Sequence, residues 1–158
     1  MAHQYRATVT WKRDGAIFTD QRYSRGHSWS FDGGVTVPAS SSPLSVKLPY
    51  SVAKAVDPEE ALVAAVASCH LLTFLYVAAK QGFVVEDYSD DAVGEMTKNE
   101  RGKLWVSKVI LAPAITFAGD KRPTPGQFDE LHHLAHEECF IANSVKSEVI
   151  VRGTMSSV

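Results

Sequence analysis

Two thiols, Cys69 and Cys139, are the only cysteines in 158 residues, and any nucleophilic or redox chemistry would rest on them. Cys69 lies inside "PEEALVAAVASCHLLTFLYVAAKQG", where residues 61–79 carry no charge, and Cys139 closes "HHLAHEEC". Each falls on the apolar stripe of a segment with helical spacing. If the two helices pack together the thiols meet, and one can attack while the other resolves. Two buried cysteines acting as small hydrophobic fillers are the plainer alternative. A third chemistry is zinc binding, because His132 and His136 stand one helical turn apart with Cys139 three residues further on. Against it, His132, His133, Glu137 and Glu138 lie mostly off the apolar stripe and read as a solvated face, and neither CxxC nor HExxH occurs. His70 is set about 100° around the helix from Cys69, so a packed, hydrogen-bonded ring is expected there. GxGxxG, a Walker loop and GxSxG are all missing, and no cofactor is expected.

Those side chains need two helices and a sheet to hold them. Asp57 followed by Pro58, Glu59 and Glu60 predicts a helix start, with an N-cap, a proline at the first position and acids in the first turn. Gly82 stops that helix. A second helix is predicted from about Pro125, with Phe128, Leu131, Leu134 and Ala135 at spacings of three and four. In the first third, "YRATVTWK" alternates as a strand does, "RDG" marks a turn, and "AIFTDQRYSRGHSWSF" predicts one or two further strands closed by "DGG". Residues 35–56, rich in Pro and Ser, predict an ordered crossing loop with a brief strand at "LSVKL". "FVVEDYSDDAVGEMTK" and "KLWVSKVILAPAITF" predict a β-hairpin about "NERGK", and "VKSEVIV" a closing strand. The result is an α+β chain, two long helices against antiparallel sheet, in a single domain over residues 1–158.

A hydrophobic content of 45% and a charged content of 22% are those of a soluble globular protein. A net charge of -2 gives no basic footprint, so nucleic acid is not an expected partner. The first residues lack a signal-peptide pattern, and two cysteines suit a reducing compartment, so the cytoplasm is the expected location. The uncharged run approaches the ~20 residues that span a bilayer. It contains Ser68, His70, Thr73 and six alanines, however, and is expected as a soluble helix buried on nearly every face. A chain of this size has little material to wrap such a helix, so a second subunit is expected to cover part of it, and no membrane partner is expected.

"DPEEALVAAVASCHLLTFL", followed later by "AHEECFIANSV", resembles the osmotically inducible protein C / organic hydroperoxide resistance (OsmC/Ohr) family. That resemblance implies an OsmC-like fold and an intertwined homodimer with shared active sites. It also implies a thiol-dependent peroxidase that reduces organic (alkyl or lipid) hydroperoxides without metal or haem. By position, Cys69 would be the peroxidatic cysteine, Cys139 the resolving cysteine and Glu59 the acidic partner of an arginine in the N-terminal strands. A dithiol such as a lipoyl group would reopen the resulting disulfide. Phe140 stands where many members have proline, and the segment 23–56 is distinctive. A stress-associated or binding module that keeps the fold with little peroxidase activity is the alternative.

The arginine follows from the chemistry. A free thiol has a pKa near 8.5, burial raises it, and Cys69 lies three turns into its helix, beyond reach of the N-terminal dipole. Arginine stays charged and offers a planar fork to a thiolate and a peroxide oxygen. Arg25, in "YSRGHSW", is expected on one strand face with Tyr23 and His27, and is assigned the role. Arg13, in the turn "KRDG", is its rival. Glu59 would orient the arginine through a bidentate pair. Ten residues along a helix is about 15 Å, so Glu59 serves the thiol of a second copy or works through a long bridge. Leu72, Phe74, Phe140 and Ile141 are expected as apolar walls admitting an organic peroxide.

Overall fold

The computed structural model describes residues 2–158. The chain forms two compact units, the first reaching Ala61 and the second spanning Leu62–Val158. In the first, β1 (Ala7–Thr10), β2 (His27–Phe31) and β3 (Thr36–Ala39) form an antiparallel sheet with β2 in the centre. The β2–β3 turn forms at the expected "DGG", where the Gly34 N–H donates to the Phe31 carbonyl at 3.0 Å. Of the one or two further strands expected here, one forms, β2: residues 11–26 are irregular, and Trp11, Phe18 and Tyr23 hold them together with ring centroids 4.7 to 6.0 Å apart. Nor is "LSVKL" a strand. Leu44 and Leu48 are exposed and only Val46 is half-buried, so its alternation does not face a core, and the loop's strand is β3 instead. Pro38 is tolerated in β3 because that strand lies at the sheet edge.

The long helix α1 (Pro58–Lys80) starts as expected. The Asp57 carboxylate accepts from the Glu60 N–H at 2.8 Å, and the Glu60 carboxylate accepts from the Asp57 N–H at 3.1 Å, a reciprocal cap. Gly82, at φ 78°, ends the helix in the left-handed region, with the Phe83 N–H donating back to the Ala78 carbonyl at 3.0 Å.

In the second unit α1 is followed by β4 (Val84–Asp90), β5 (Val93–Lys98), β6 (Leu104–Leu111), β7 (Pro113–Ala118), α2 (Pro125–Glu138), β8 (Glu148–Val151) and β9 (Thr154–Ser157). The hairpin about "NERGK" forms, with Lys98 opposite Leu104. Both of its arms break, one between β4 and β5 and the other at Ala112, where the Asp90 carboxylate accepts from the Ala112 N–H at 2.7 Å. The broken arms feed two sheets, ordered β4-β7-β9 and β5-β6-β8. β8 joins β6 and β9 joins β7 in parallel, so both sheets are mixed rather than purely antiparallel. β9 has no counterpart in the expected elements, because "TMSS" is exposed throughout and carries no alternation.

The core of this unit lies between the helices and the sheet. Phe74, Val77 and Ala78 of α1 meet Phe128, Leu131 and Ala135 of α2, with Phe83, Ile115 and Phe117 beneath. Each buried Phe or Leu contributes about 1.5–3 kcal/mol, so this cluster fixes the crossing of the two helices. A smaller cluster seats Val66 on Val109 and Leu111. α1 is long and apolar enough to cross a membrane by length and composition, yet only 28% of its most apolar stretch is buried. The expected burial on nearly every face is therefore not met by one chain: Leu72 and Tyr76 are 65% and 66% exposed.

Candidate active site

The helix crossing that the Phe74–Leu131 cluster fixes brings the two cysteines together. Both are free thiols, and the consecutive N–H groups of Ile141 and Ala142 reach one sulfur each, which sets the two side by side. Their surroundings differ sharply. Cys139 is fully buried. Burial pushes its thiol up to about 11, reinforced by Cys69 as hydrogen-bond partner and nearby charge, and offset by the N–H groups of Ala142 and Ile141. Cys69 is half-buried and opens into a cavity of about 980 Å³, walled by Leu72, Tyr76, Leu134, Phe140 and Ile141. An accessible sulfur thus faces an apolar chamber, and a second, protonated one waits against it. Leu72, Phe140 and Ile141 stand on the expected wall; Phe74 instead turns into the core.

Two backbone donors at the sulfurs have no signature in the residue types that carry them. The Ile141 N–H points to Cys69 Sγ at 3.5 Å and the Ala142 N–H to Cys139 Sγ at 3.3 Å. They come from the start of the short 3-10 turn that follows α2, Ala142–Ser144, and from the residue that caps it, Ile141. Asn143 holds that turn by donating to the carbonyls of Glu137 and Cys139, and Ser144 by donating to the Phe140 carbonyl. The polar pair Asn143–Ser144 was the available clue, since both residue types bond back to local backbone.

Arg25 and Glu59 belong to the first unit. Arg25 does not lie in a strand. Its guanidinium nevertheless covers the Tyr23 ring at 3.9 Å, its Nη1 donates to the carbonyls of Gln21 and Tyr23, and its own carbonyl bonds to His27 Nδ1 at 2.8 Å. Arg25 thereby lines a cavity of about 470 Å³ with Trp11, Phe18, Tyr23, His27 and Pro58. Glu59, next to Pro58, is half-buried in the first turn of α1, and among the described residues no ion pair joins it to Arg25. Arg13 is exposed at the turn before β2, its carbonyl accepting from the Ala16 N–H at 3.3 Å.

The histidines depart from expectation at one position. His70 is buried and hydrogen-bonded, and its partner is His132: His70 Nε2 and His132 Nδ1 are 3.0 Å apart, with the rings stacked 8° from parallel. His132 is thus a core residue and not part of the solvated face. Burial lowers both imidazoles to about 4, and for His70 the neighbouring His132 and His136 act in the same direction. Both rings are therefore neutral at pH 7, one nitrogen of the pair donating and the other accepting. Gly153 makes room for the ring, because a Cβ there would collide with His132 Nε2. The zinc alternative does not converge: among the described residues no three metal-ligating side chains come together.

The OsmC-like protein model matches residues 51–152, which include α1, α2 and both cysteines. An OsmC-like protein of unknown function from Vibrio cholerae O1 biovar eltor is 53% identical, covering 97% of this chain and 100% of that one, with a TM-score of 0.94. An organic hydroperoxide resistance protein from Elizabethkingia anophelis shares the fold at 18% identity and a TM-score of 0.70, covering 100% of this chain and 99% of that one. The organic hydroperoxide resistance protein of Bacillus subtilis does so at 19% identity and a TM-score of 0.59, with 98% of each chain covered. No curated protein sequence matches the chain. With its mixed α+β fold and the family pattern spanning both helices, the chain belongs to the OsmC-like protein family.

Proposed function

We propose that the protein is a thiol-dependent peroxidase of organic hydroperoxides, working as a homodimer in the cytoplasm. One observation carries this reading: Cys69 opens to an apolar chamber while the buried Cys139 lies next to it, their sulfurs reached by the consecutive N–H groups of Ile141 and Ala142. The Cys69 thiolate attacks the terminal peroxide oxygen, the O–O bond breaks, and the alkoxide leaves to become an alcohol by taking a proton. Sulfur is oxidised to the sulfenic acid and the peroxide is reduced. Cys139 then attacks that sulfur, its proton leaves with the hydroxide as water, and a Cys69–Cys139 disulfide forms. A dithiol such as a lipoyl group reduces the disulfide by exchange and becomes a disulfide itself. The Ile141 N–H at Cys69 Sγ supports charge on the attacking sulfur.

Arg25 supplies the remaining positive charge and Glu59 orients it, with the arginine of one copy serving the thiol of another. The apolar stripe that α1 leaves exposed in one copy supports such an exchange, since a second copy would cover it. Sedimentation at micromolar concentration checks the dimer; a well-folded monomer at that concentration counts against shared sites.

The deciding experiment is peroxide consumption with dihydrolipoamide as reductant. Cumene hydroperoxide is expected to be consumed at least about tenfold more efficiently than hydrogen peroxide, because burying its ring and methyls in the chamber yields more than 1.4 kcal/mol. Consumption of neither leaves the chain a binding or stress-associated module on the same fold.

A further inference from the structure

The chain leaving α2 passes from Cys139, the helix C-cap, directly into the turn Ala142–Ser144. Asn143 ties the two together. Its backbone N–H donates to the Cys139 carbonyl at 3.0 Å, and its Nδ2 donates to the carbonyls of Glu137 at 2.8 Å and Cys139 at 3.0 Å. Nδ2 carries two hydrogens, so both side-chain bonds form at once. The last carbonyls of a helix lack partners within it and concentrate negative charge at that end. Left bare, those of α2 would stand beside the sulfurs and oppose a thiolate; Asn143 covers two of them. Joining the helix end to the turn also fixes the backbone between them, so that the Ile141 N–H meets Cys69 Sγ and the Ala142 N–H meets Cys139 Sγ. Ser144 braces the same stretch, its Oγ donating to the Phe140 carbonyl at 2.7 Å and its N–H to the Ile141 carbonyl at 3.0 Å. Asn143 is itself exposed, so packing does not call for its side chain and only these hydrogen bonds do.

We propose that Asn143 is a positioning residue for the two thiols: its amide aims consecutive backbone N–H groups, one at each sulfur, and so sets their reactivity and the redox balance of the pair. This rests on the reading of Cys69 and Cys139 as attacking and resolving thiols, and it holds whichever peroxide is the substrate. A thiolate accepts a hydrogen bond more strongly than a thiol, so an N–H fixed at Cys69 Sγ favours the charged, attacking form. A disulfide sulfur is a weaker acceptor than a thiolate, so the same two donors favour the reduced pair over the disulfide. An external dithiol then reopens the bond more readily. In that exchange the Cys69–Cys139 bond breaks, the two sulfurs take up two electrons and two protons, and the external dithiol gives up both and closes its own disulfide.

The test compares the wild type with Asn143→Ala, Asn143→Asp and Ile141→Pro. Ionised aspartate keeps the shape of asparagine without a donor, and sets a charge against the two carbonyls. Ile141 has φ −73°, an angle proline adopts, so Ile141→Pro deletes the N–H at Cys69 while that angle is kept. Two readouts need no peroxide: the rate of Cys69 alkylation by iodoacetamide at neutral pH, followed by mass spectrometry, and the equilibrium of the thiol pair with dihydrolipoamide. Asn143→Ala and Ile141→Pro should each slow alkylation about tenfold, as the loss of one charge-assisted bond does, and Asn143→Asp should slow it further. The disulfide of Asn143→Ala should be about tenfold harder to reduce, a potential about 30 mV more negative. A merely structural role would lower the urea midpoint and leave that potential alone. A folded Asn143→Ala with wild-type alkylation and potential overturns the assignment, as does slowing confined to Ile141→Pro. If neither Asn143 variant folds, hydrogen exchange in the wild type decides: the Ile141 and Ala142 amides should exchange more slowly in the reduced protein than in the oxidised one, and equal rates overturn the proposal. Slowed alkylation in a chain that forms no Cys69–Cys139 disulfide upholds the positioning of Cys69 and removes the resolving role of Cys139.

Discussion

Cys69→Ser is expected to lower hydroperoxide turnover by at least about three orders of magnitude, to the level of the uncatalysed reaction. A serine hydroxyl is almost wholly protonated at neutral pH, so neither the Ile141 N–H nor an arginine can make it an equivalent nucleophile. Cys139→Ser should behave differently. Cys69 keeps its chamber and its backbone donor, reacts once, and then stalls as a sulfenic acid or a mixed disulfide with the reductant. Mass spectrometry after one equivalent of cumene hydroperoxide distinguishes the states. The wild type loses two hydrogens as the disulfide closes, and Cys139→Ser gains one oxygen. A wild-type Cys69 left unmodified by that treatment would end the redox assignment.

Acid is expected to destabilise the fold steeply between pH 6.5 and about 4. His70 and His132 are held neutral in the folded chain down to about 4, whereas in the unfolded chain they titrate near 6.5. Within that window the unfolded state binds more protons, so stability is fully present above pH 6.5 and falls as pH drops toward 4. Each ring contributes about 1.4 kcal/mol per pH unit while the difference lasts, a loss of about 3 kcal/mol per ring and comparable to removing a core side chain. The cause is local. Protonation puts a proton on both facing nitrogens across the 3.0 Å contact and charges a ring packed against Phe74 and Phe128. Urea unfolding at fixed protein concentration measures it. In His70→Phe/His132→Phe the slope across this window should flatten, and an equally steep slope there would assign the acid sensitivity to other groups.

The sequence made the helices and their cysteines legible because short-range chemistry specifies them. Asp57, Pro58, Glu60 and Gly82 form the cap and stop of α1 that their types demand, and a stripe of three and four along α2 leads to Cys139, buried at its C-cap. The sheets were less legible. Whether the arms of the hairpin stay whole depends on Asp90 capping Ala112 across the strands, a contact 22 residues apart that no local pattern encodes. His132 was misplaced for a similar reason: a histidine among charged neighbours reads as solvated unless the ring it meets, 62 residues earlier, is known. Arg25 stands beside Tyr23, as the strand reading expected, but a loop of stacked aromatic rings puts it there.

The two parallel strands at the end of the chain determine the order of folding. β8 pairs with β6 and β9 with β7, each at a separation of 40 residues, as in Lys108 with Glu148 and Ala114 with Thr154. The β5–β6 hairpin can form early, since its partners are near neighbours in sequence. β6 and β7 each keep an unpaired edge until α2 has formed and the chain beyond it has arrived. Closing these long loops costs entropy before the parallel ladders return it, which makes the final step slow. During synthesis the thiols and the helix crossing would be in place while two open sheet edges await the last strands, and those edges are where nascent chains would pair wrongly.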